Sequence, residues 1–292
     1  MNSSIAGGLG NGGQRITTAE RQSPPRAGDL RLVVTDMDGT LLTADGAIPD
    51  GLWPLLDQMR ARGITFVPAS GRQYATLARA FSRAPSGVSF IAENGSLVVH
   101  DGRVLSTTCV ARGLVGSVID AVRRAADSAH DLGLVVCGLR SAYIERFDPA
   151  FSAQAAIYYA QLKIVDDLHE VADDVLKLAV YDFGDAERSE AAIFAPIGDD
   201  HQVVVSGRHW IDIMASDVNK GVAVRKLQTA LAVTPAQTAA FGDYLNDLEM
   251  LDAAGLSYAV ANAHPEVRAR ARFIAPSNVD QGVITVLSRL IG

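Results

Sequence analysis

The apolar run Leu32-Val33-Val34 leads almost directly into Asp36-Met37-Asp38-Gly39-Thr40-Leu41-Leu42, and that junction constrains the chain more than any other stretch. The run reads as a short buried strand, and Gly39-Thr40 breaks it just past its carboxyl end. Side chains in an extended segment alternate with period two, so Asp36 and Asp38 are expected to point the same way. Two carboxylates side by side at the end of a buried strand are costly, because like charges repel and each raises the other's pKa. A fold carries that cost where a cation or a reaction uses it. One carboxylate can then act as a nucleophile and form an acyl phosphate, while the other handles protons. Taken alone, the pair fits an acidic loop after a strand equally well.

Three further segments hold residue types suited to an anion or a metal. Ser70-Gly71-Arg72 follows the apolar stretch Ile64-Thr65-Phe66-Val67. A hydroxyl and an exposed glycine backbone at a strand end can donate to a phosphoryl oxygen, although an ordinary turn has the same composition. Pro68 is unexpected there, because it removes a ladder donor from a strand that should be central. Lys220-Gly221 precedes Val222, Val224, Leu227 and Leu231, spaced for the buried face of a helix. Lys220 would then sit in the first turn, where its ammonium adds to the positive end of the helix; in isolation it would be a solvated surface charge. Lastly, Phe241-Gly242-Asp243-Tyr244-Leu245-Asn246-Asp247 follows a strand beginning near Thr238. Oxygen ligands at a strand end suit Mg²⁺, while Asn246 and Asp247 by themselves fit an N-capped helix.

In this order and spacing, the four segments resemble the motifs of the haloacid dehalogenase (HAD) superfamily. Two departures are small: Ser70 stands where relatives often carry Thr, and Asn219 replaces a small hydroxyl residue before Lys220. The resemblance implies an α/β fold with a Rossmann-like core and a parallel sheet. The segment between the second and third motifs resembles in layout the inserted α/β (type C2B) cap of the Cof-like, type IIB phosphatases. Glu93-Asn94-Gly95, Ala261-Asn262-Ala263-His264-Pro265 and Ser277-Asn278-Val279-Asp280-Gln281-Gly282-Val283 resemble that subfamily too. The expected division is a disordered extension over 1–28, a core from 29–112 and 215–292, and a cap over 113–214.

The same resemblance implies roles residue by residue. Asp36 attacks phosphorus and becomes an aspartyl-phosphate; Asp38 protonates the leaving alkoxide and then activates water. Mg²⁺ is held by Asp36, the backbone carbonyl of Asp38, and Asp243. Met37, Ser70, Gly71, Arg72, Lys220 and Asn246 hold the phosphoryl group, with Arg72 also within reach of the leaving group. Asp247 stands behind them, touching metal water or Lys220, and Asn94 supports the site from the Glu93-Asn94-Gly95 block. An acid two residues after the nucleophile points to a phosphatase, since the superfamily's dehalogenases do not need one. The implied substrates are small phosphorylated metabolites, sugar phosphates first.

Composition agrees with such an enzyme. The 292 residues are 48% hydrophobic, enough to bury two cores, and the net charge of −7 gives no basic footprint for nucleic acid. Cys109 and Cys137 form neither a metal spacing nor a disulfide framework, and no apolar run is long enough for a bilayer. A cytoplasmic enzyme without an obligate protein partner is expected. Residues 1–28 are Gly- and Ser-rich, with Pro24-Pro25, and lack the apolar core of a secretory signal.

Past the first motif, helical patterns over 50–62 and 73–83 alternate with strands at 64–67 and 90–92, as a parallel sheet requires. Within 113–214, helices are expected near 114–129, 150–159 and 189–194. Strands are expected at 134–136, 142–144 and 176–181, with a closing hairpin from 203–206 and 210–214. Tyr143, Tyr158, His209 and Trp210 are candidate contacts for the leaving group, though core packing explains each of them as well. Two other functions fit the same motifs. A sugar phosphomutase would return the phosphoryl group to a second hydroxyl, and a non-catalytic phosphosugar-binding regulator would have no use for Asp38.

Overall fold

The computed structural model describes residues 29–128, 130–194, 201–206 and 208–292, so the expected N-terminal extension lies outside the described residues. The chain opens with β1 (Leu32–Asp36), crosses through α1 (Leu52–Ala61) to β2 (Thr65–Ala69), and through α2 (Tyr74–Ala80) to β3 (Phe90–Ala92). A hairpin of β4 (Leu97–His100) and β5 (Arg103–Thr107) follows. The chain then leaves this sheet for α3 (Arg112–Asp127), β6 (Leu132–Gly138), β7 (Ala142–Ile144), α4 (Pro149–Tyr158), β8 (Leu162–Ile164), β9 (Val175–Asp182), α5 (Ala186–Ser189), β10 (His201–Val205) and β11 (Trp210–Ala215). It returns through α6 (Lys220–Leu231), β12 (Thr238–Gly242), α7 (Leu248–Asp252), β13 (Leu256–Val260), α8 (Pro265–Arg270), β14 (Phe273–Ala275) and α9 (Gly282–Ile291).

The first sheet runs β14-β13-β12-β1-β2-β3-β4-β5. Strands β14 to β3 are parallel, whereas β4 and β5 are antiparallel, so the expected parallel sheet carries an antiparallel edge. The hairpin escapes a strand–helix alternation because it needs no crossover. From β1 the chain grows outward through β2 and β3, then resumes on the other side with β12. That reversal puts a crevice at the carboxyl ends of β1 and β12, where an open α/β sheet binds its ligands. Buried on both faces, β1 and β12 are built around the apolar runs Leu32–Val34 and Ala239–Phe241.

Pro68 fits this arrangement. Phe66 O accepts from Ser89 N and Ser70 N donates to Ile91 O, so the even-numbered residues of β2 face β3. Direct pairing with β3 is confined to Ala69–Ile91, so Pro68, near the end of β2, forfeits a single bond just before β3 begins.

The second sheet, β10-β11-β9-β6-β7-β8, pairs with none of the first among the described residues. On one face, Leu134, Val136, Leu178, Val180, Ile211 and Ile213 pack with Val118 and Ile119 of α3. On the other, Val135, Ala179 and Tyr181 pack with Phe151 and Ala155 of α4. The alternation along β9 that sorts these residues also sends Lys177 to the second face, toward the first sheet. Two glutamine bonds and two through a threonine tie the halves together. Gln73 Nε2 donates to Gln161 O at 2.9 Å and Gln161 N to Gln73 Oε1 at 2.9 Å. Thr76 Oγ1 donates to Tyr158 O at 2.8 Å and accepts from Ala160 N at 3.0 Å. The helix expected at 189–194 is instead the four residues of α5 followed by a wider turn over Glu190–Phe194. Among the described residues no helix is long and apolar enough to cross a membrane.

Candidate active site

Asp36 ends β1, Asp243 follows β12, and Ser70 follows β2, so three neighbouring parallel strands deliver them to one edge. Asp36 is buried, and Lys220 Nζ donates to its Oδ1 at 2.6 Å. The same ammonium donates to Asp247 Oδ1 at 2.7 Å, and Lys220 is only 1% exposed. A lysine this buried keeps its charge only against carboxylates. Burial works to lower its pKa, but Asp247 and Asp36 outweigh it and the net shift is upward. Burial pushes the Asp36 carboxyl well above the usual carboxylate range; Lys220 pulls it back, and Asp247 and Asp243 push it further. Lys220 opens α6, and Asn219 Oδ1 caps that helix by accepting from Val222 N at 2.8 Å, so the departure at Asn219 supplies the cap. The buried face of α6 is Ala223, Val224, Leu227 and Gln228; Val222 and Leu231 are only half-buried.

Asp38 is different. Its side chain is 57% exposed, and Arg72 grips it through Nε to Oδ2 at 3.0 Å and Nη2 to Oδ1 at 2.5 Å. Arg72, expected on the phosphate, is thus paired with the second aspartate. Between the two aspartates Met37 is buried in the apolar core, which leaves only its backbone for a phosphoryl oxygen. Gly39 turns the chain at φ 81°, and a Cβ there would collide with the Asp243 carboxylate. Thr40 Oγ1 donates to Asp243 Oδ1 at 2.8 Å. Burial raises the Asp243 pKa as well; the Thr40 bond lowers it and Asp247 raises it.

The carboxylate oxygens of Asp36, Asp243 and Asp247 come within 4.8 Å of one another. Asp247 is already engaged on both sides: Oδ1 takes Lys220, and Oδ2 accepts from Asp243 N at 3.0 Å and Tyr244 N at 3.2 Å. Asp247 therefore shapes the loop, and Asp36 and Asp243 keep oxygens available. A hard divalent cation fits this donor set, since it would relieve the repulsion that burial intensifies.

Ser70 Oγ accepts from Arg72 N at 3.2 Å, which leaves its own proton free to donate outward. Asn94 N donates to Ser70 O at 3.0 Å, and the Asn94 side chain lies over Gly71. Asn246 Nδ2 reaches Asn94 Oδ1 at 3.5 Å. The two late motifs brace the first loop. Asn262 Nδ2 donates to Gly39 O at 2.8 Å, and Asn278 Nδ2 to Leu42 O at 3.0 Å. Asn278 N donates to Asn262 Oδ1 at 3.0 Å. Sequence reasoning missed Glu93, Lys177 and Asp212, which meet beneath Gly71. The signal for Lys177 and Asp212 was a charge at an inward position of a mostly apolar strand, whereas Glu93 sits in the turn after β3.

Of the four candidate leaving-group contacts, the structure brings three together. Tyr158 and Trp210 are edge-to-face at 5.4 Å, and His209 lies 5.4 Å from Tyr181, which itself touches Trp210. Burial raises the Tyr158 phenol, and so does the charge of Asp38, while Arg72 lowers it. Tyr143 packs on the opposite sheet face and donates to Asp173 Oδ2 at 2.9 Å, beside a separate cavity of about 460 Å³ lined by Arg140, Lys163 and Glu170.

Residues 33–287 match the sequence pattern of the haloacid dehalogenase-like hydrolases. The chain belongs to that family. The Escherichia coli (strain K12) 5-amino-6-(5-phospho-D-ribitylamino)uracil phosphatase YbjI is 31% identical over 90% of this chain and 96% of its own. The structure of SMU.1108c from Streptococcus mutans is 27% identical with a TM-score of 0.78, covering 89% of this chain and 98% of that one. The HAD subclass IIB sugar phosphatase BT4131 shares the fold at a TM-score of 0.73 and 16% identity, over 88% of this chain and 98% of its own. The second sheet is accordingly an inserted α/β cap, as in the fold of the subclass IIB structure, and the first is the Rossmann-like HAD core. This chain is a HAD hydrolase, an enzyme of the phosphatase type its relatives are named for.

Proposed function

We propose that this HAD hydrolase is a Mg²⁺-dependent phosphomonoesterase that works through an aspartyl-phosphate on Asp36. The observation that carries the reading is the contrast between its two aspartates. Asp36 is buried against the Lys220 ammonium at 2.6 Å, a nucleophile held in place. Asp38 stands exposed at the mouth in the grip of Arg72, placed to exchange protons with a leaving group beneath the cap.

On this reading the Asp36 carboxylate attacks phosphorus and the ester P–O bond breaks. Asp38 gives its proton to the departing alkoxide, then takes one from the water that hydrolyses the acyl phosphate. Lys220, the Ser70 hydroxyl, Asn246 and the backbone at Met37 and Gly71 hold the phosphoryl oxygens, preorganised before charge develops. Asp36, Asp243 and the backbone carbonyl of Asp38 would hold Mg²⁺, which supplies charge neutralisation between nucleophile and phosphate. Arg72 orients Asp38, and Asp247 keeps Lys220 and the metal loop in register.

The cap covers the leaving group, with Tyr158 and Trp210 as its aromatic wall. Sugar phosphates and sugar-alcohol phosphates are the first class to test. The ribitylamino-uracil phosphate named for the Escherichia coli relative belongs in the same panel. The boundaries of core and cap are proposed at 29–112 with 215–292, and 113–214. Both cysteines are unpaired and Cys109 is exposed, which suits the reducing cytoplasm.

The test is a phosphate-release screen over that panel, with and without Mg²⁺. Release with Mg²⁺ that stops in excess chelator is expected; undiminished release in chelator would remove the metal site. Conversion of a hexose phosphate to its isomer without free phosphate would make the protein a mutase.

A further inference from the structure

Three charged side chains meet under the phosphate cradle, and two of them belong to the cap. Lys177 of β9 donates from Nζ to Gly71 O at 2.8 Å, lies 2.9 Å from Glu93 Oε2 and 3.4 Å from Asp212 Oδ1 of β11. Asn94 Nδ2 donates to Asp212 Oδ2 at 3.0 Å. Lys177, Glu93 and Asp212 are 2%, 1% and 4% exposed. Burying ions this deeply is costly before pairing, and apolar side chains of the same size are often as stable or more so. Stability alone does not account for the cluster.

Two relays run from it into the cradle. The carbonyl of the Gly71–Arg72 peptide is held by Lys177, and the N–H of that same peptide donates to Ser70 Oγ at 3.2 Å. Fixing this plane fills a lone pair of the hydroxyl and aims its proton away, toward the cradle. The second relay passes through Asn94. A carboxylate only accepts, so Asp212 forces the Asn94 amide NH₂ toward the cap. The Asn94 oxygen then faces Asn246 Nδ2 at 3.5 Å. Gly71 leaves room for this, since Asn94 packs directly over its Cα.

Building on the phosphatase reading, we infer that Lys177 and Asp212 are positioning residues: from the cap they orient Ser70, Gly71 and Asn246, so that the core's phosphate cradle is complete only with the cap seated on it. Neither need touch the substrate. The cap thereby couples closure to phosphate binding, beyond selecting the leaving group.

The decisive probe is inorganic phosphate, which has no leaving group for a cap to recognise. Its Kd is measured by calorimetry in Mg²⁺ for the full chain and three variants, each checked by thermal melting. In Asp212→Asn the Lys177 ammonium keeps the oxygen, so an NH₂ confronts Asn94 and turns that amide over, away from Asn246. Phosphate affinity should fall by about tenfold, the loss of roughly one hydrogen bond. Asn94→Asp should weaken binding similarly, because two buried carboxylates then face each other. The double variant Asn94→Asp/Asp212→Asn restores donor to acceptor at both contacts and should recover to within about threefold of wild type. If Asp212→Asn folds and binds phosphate as wild type does, the inference is wrong. Should Asp212→Asn not fold, the double variant decides, and one no better than Asn94→Asp overturns the pairing. Wild-type protein that neither binds phosphate nor releases it from any ester of the panel in Mg²⁺ would instead remove the phosphatase reading itself.

Discussion

Asp36 and Asp38 are two residues apart and do different work because their surroundings differ. Asp36 faces Lys220 in the interior; Asp38 faces solvent and Arg72. The upward shift of Lys220 keeps its ammonium charged through the neutral and mildly alkaline range, so a basic limb in the rate profile would belong to another group. Asp36→Asn keeps the size and much of the hydrogen bonding, and should abolish turnover while the melting curve stays close to wild type. Asp243→Ala removes one of the two carboxylates with free oxygens and should raise the Mg²⁺ needed for half-maximal activity by more than about tenfold. An unchanged metal titration would move the ligand elsewhere. Arg72 is the residue where expectation and geometry part most clearly: a basic residue beside a phosphate motif reads as an anion ligand, and nothing in the sequence ties it to Asp38 across 34 positions.

At the scale of elements, helix α6 presents Lys220 because Gly221 lets it approach α7. A Cβ on Gly221 would collide with the backbone of Glu249. Gly221→Ala in an open helix would gain up to about 1 kcal/mol of propensity. Here overpacking against rigid backbone should cost about 1–3 kcal/mol. The net expectation is a lower melting temperature together with weaker phosphate binding; a more stable protein would contradict the packing. The strands and helices flanking the motifs were readable because apolar runs and breakers coincide with their ends, as at Leu32–Asp36 and at Gly63 after α1. The hairpin β4–β5 was not, since β5 is a largely exposed edge strand with no apolar period, nor was the short β8, whose partner β7 lies 20 residues earlier in the chain. The braces at Asn262 and Asn278 were visible as a likeness to relatives, but their carbonyl targets on the first loop belong to tertiary structure.

In the whole molecule, β1, β2 and β12 bring the acidic and hydroxyl groups to one crevice, α6 adds the ammonium, and the cap closes above Asp38. The core site was legible in outline because its residues sit in runs of a few positions at strand ends. The cap's contribution was hidden: Lys177 and Asp212 lie 35 residues apart on separate strands, each alone in an apolar context. Everything assembled here serves one bond, between Asp36 and phosphorus. Asp38→Asn should preserve attack on an aryl phosphate, whose leaving group needs little protonation, and lose the base that activates water. Mass spectrometry of that variant, incubated with Mg²⁺ and an aryl phosphate, should find one added phosphoryl group on the peptide containing Asp36. An adduct on another residue, or substantial turnover by Asp36→Asn, would contradict the account.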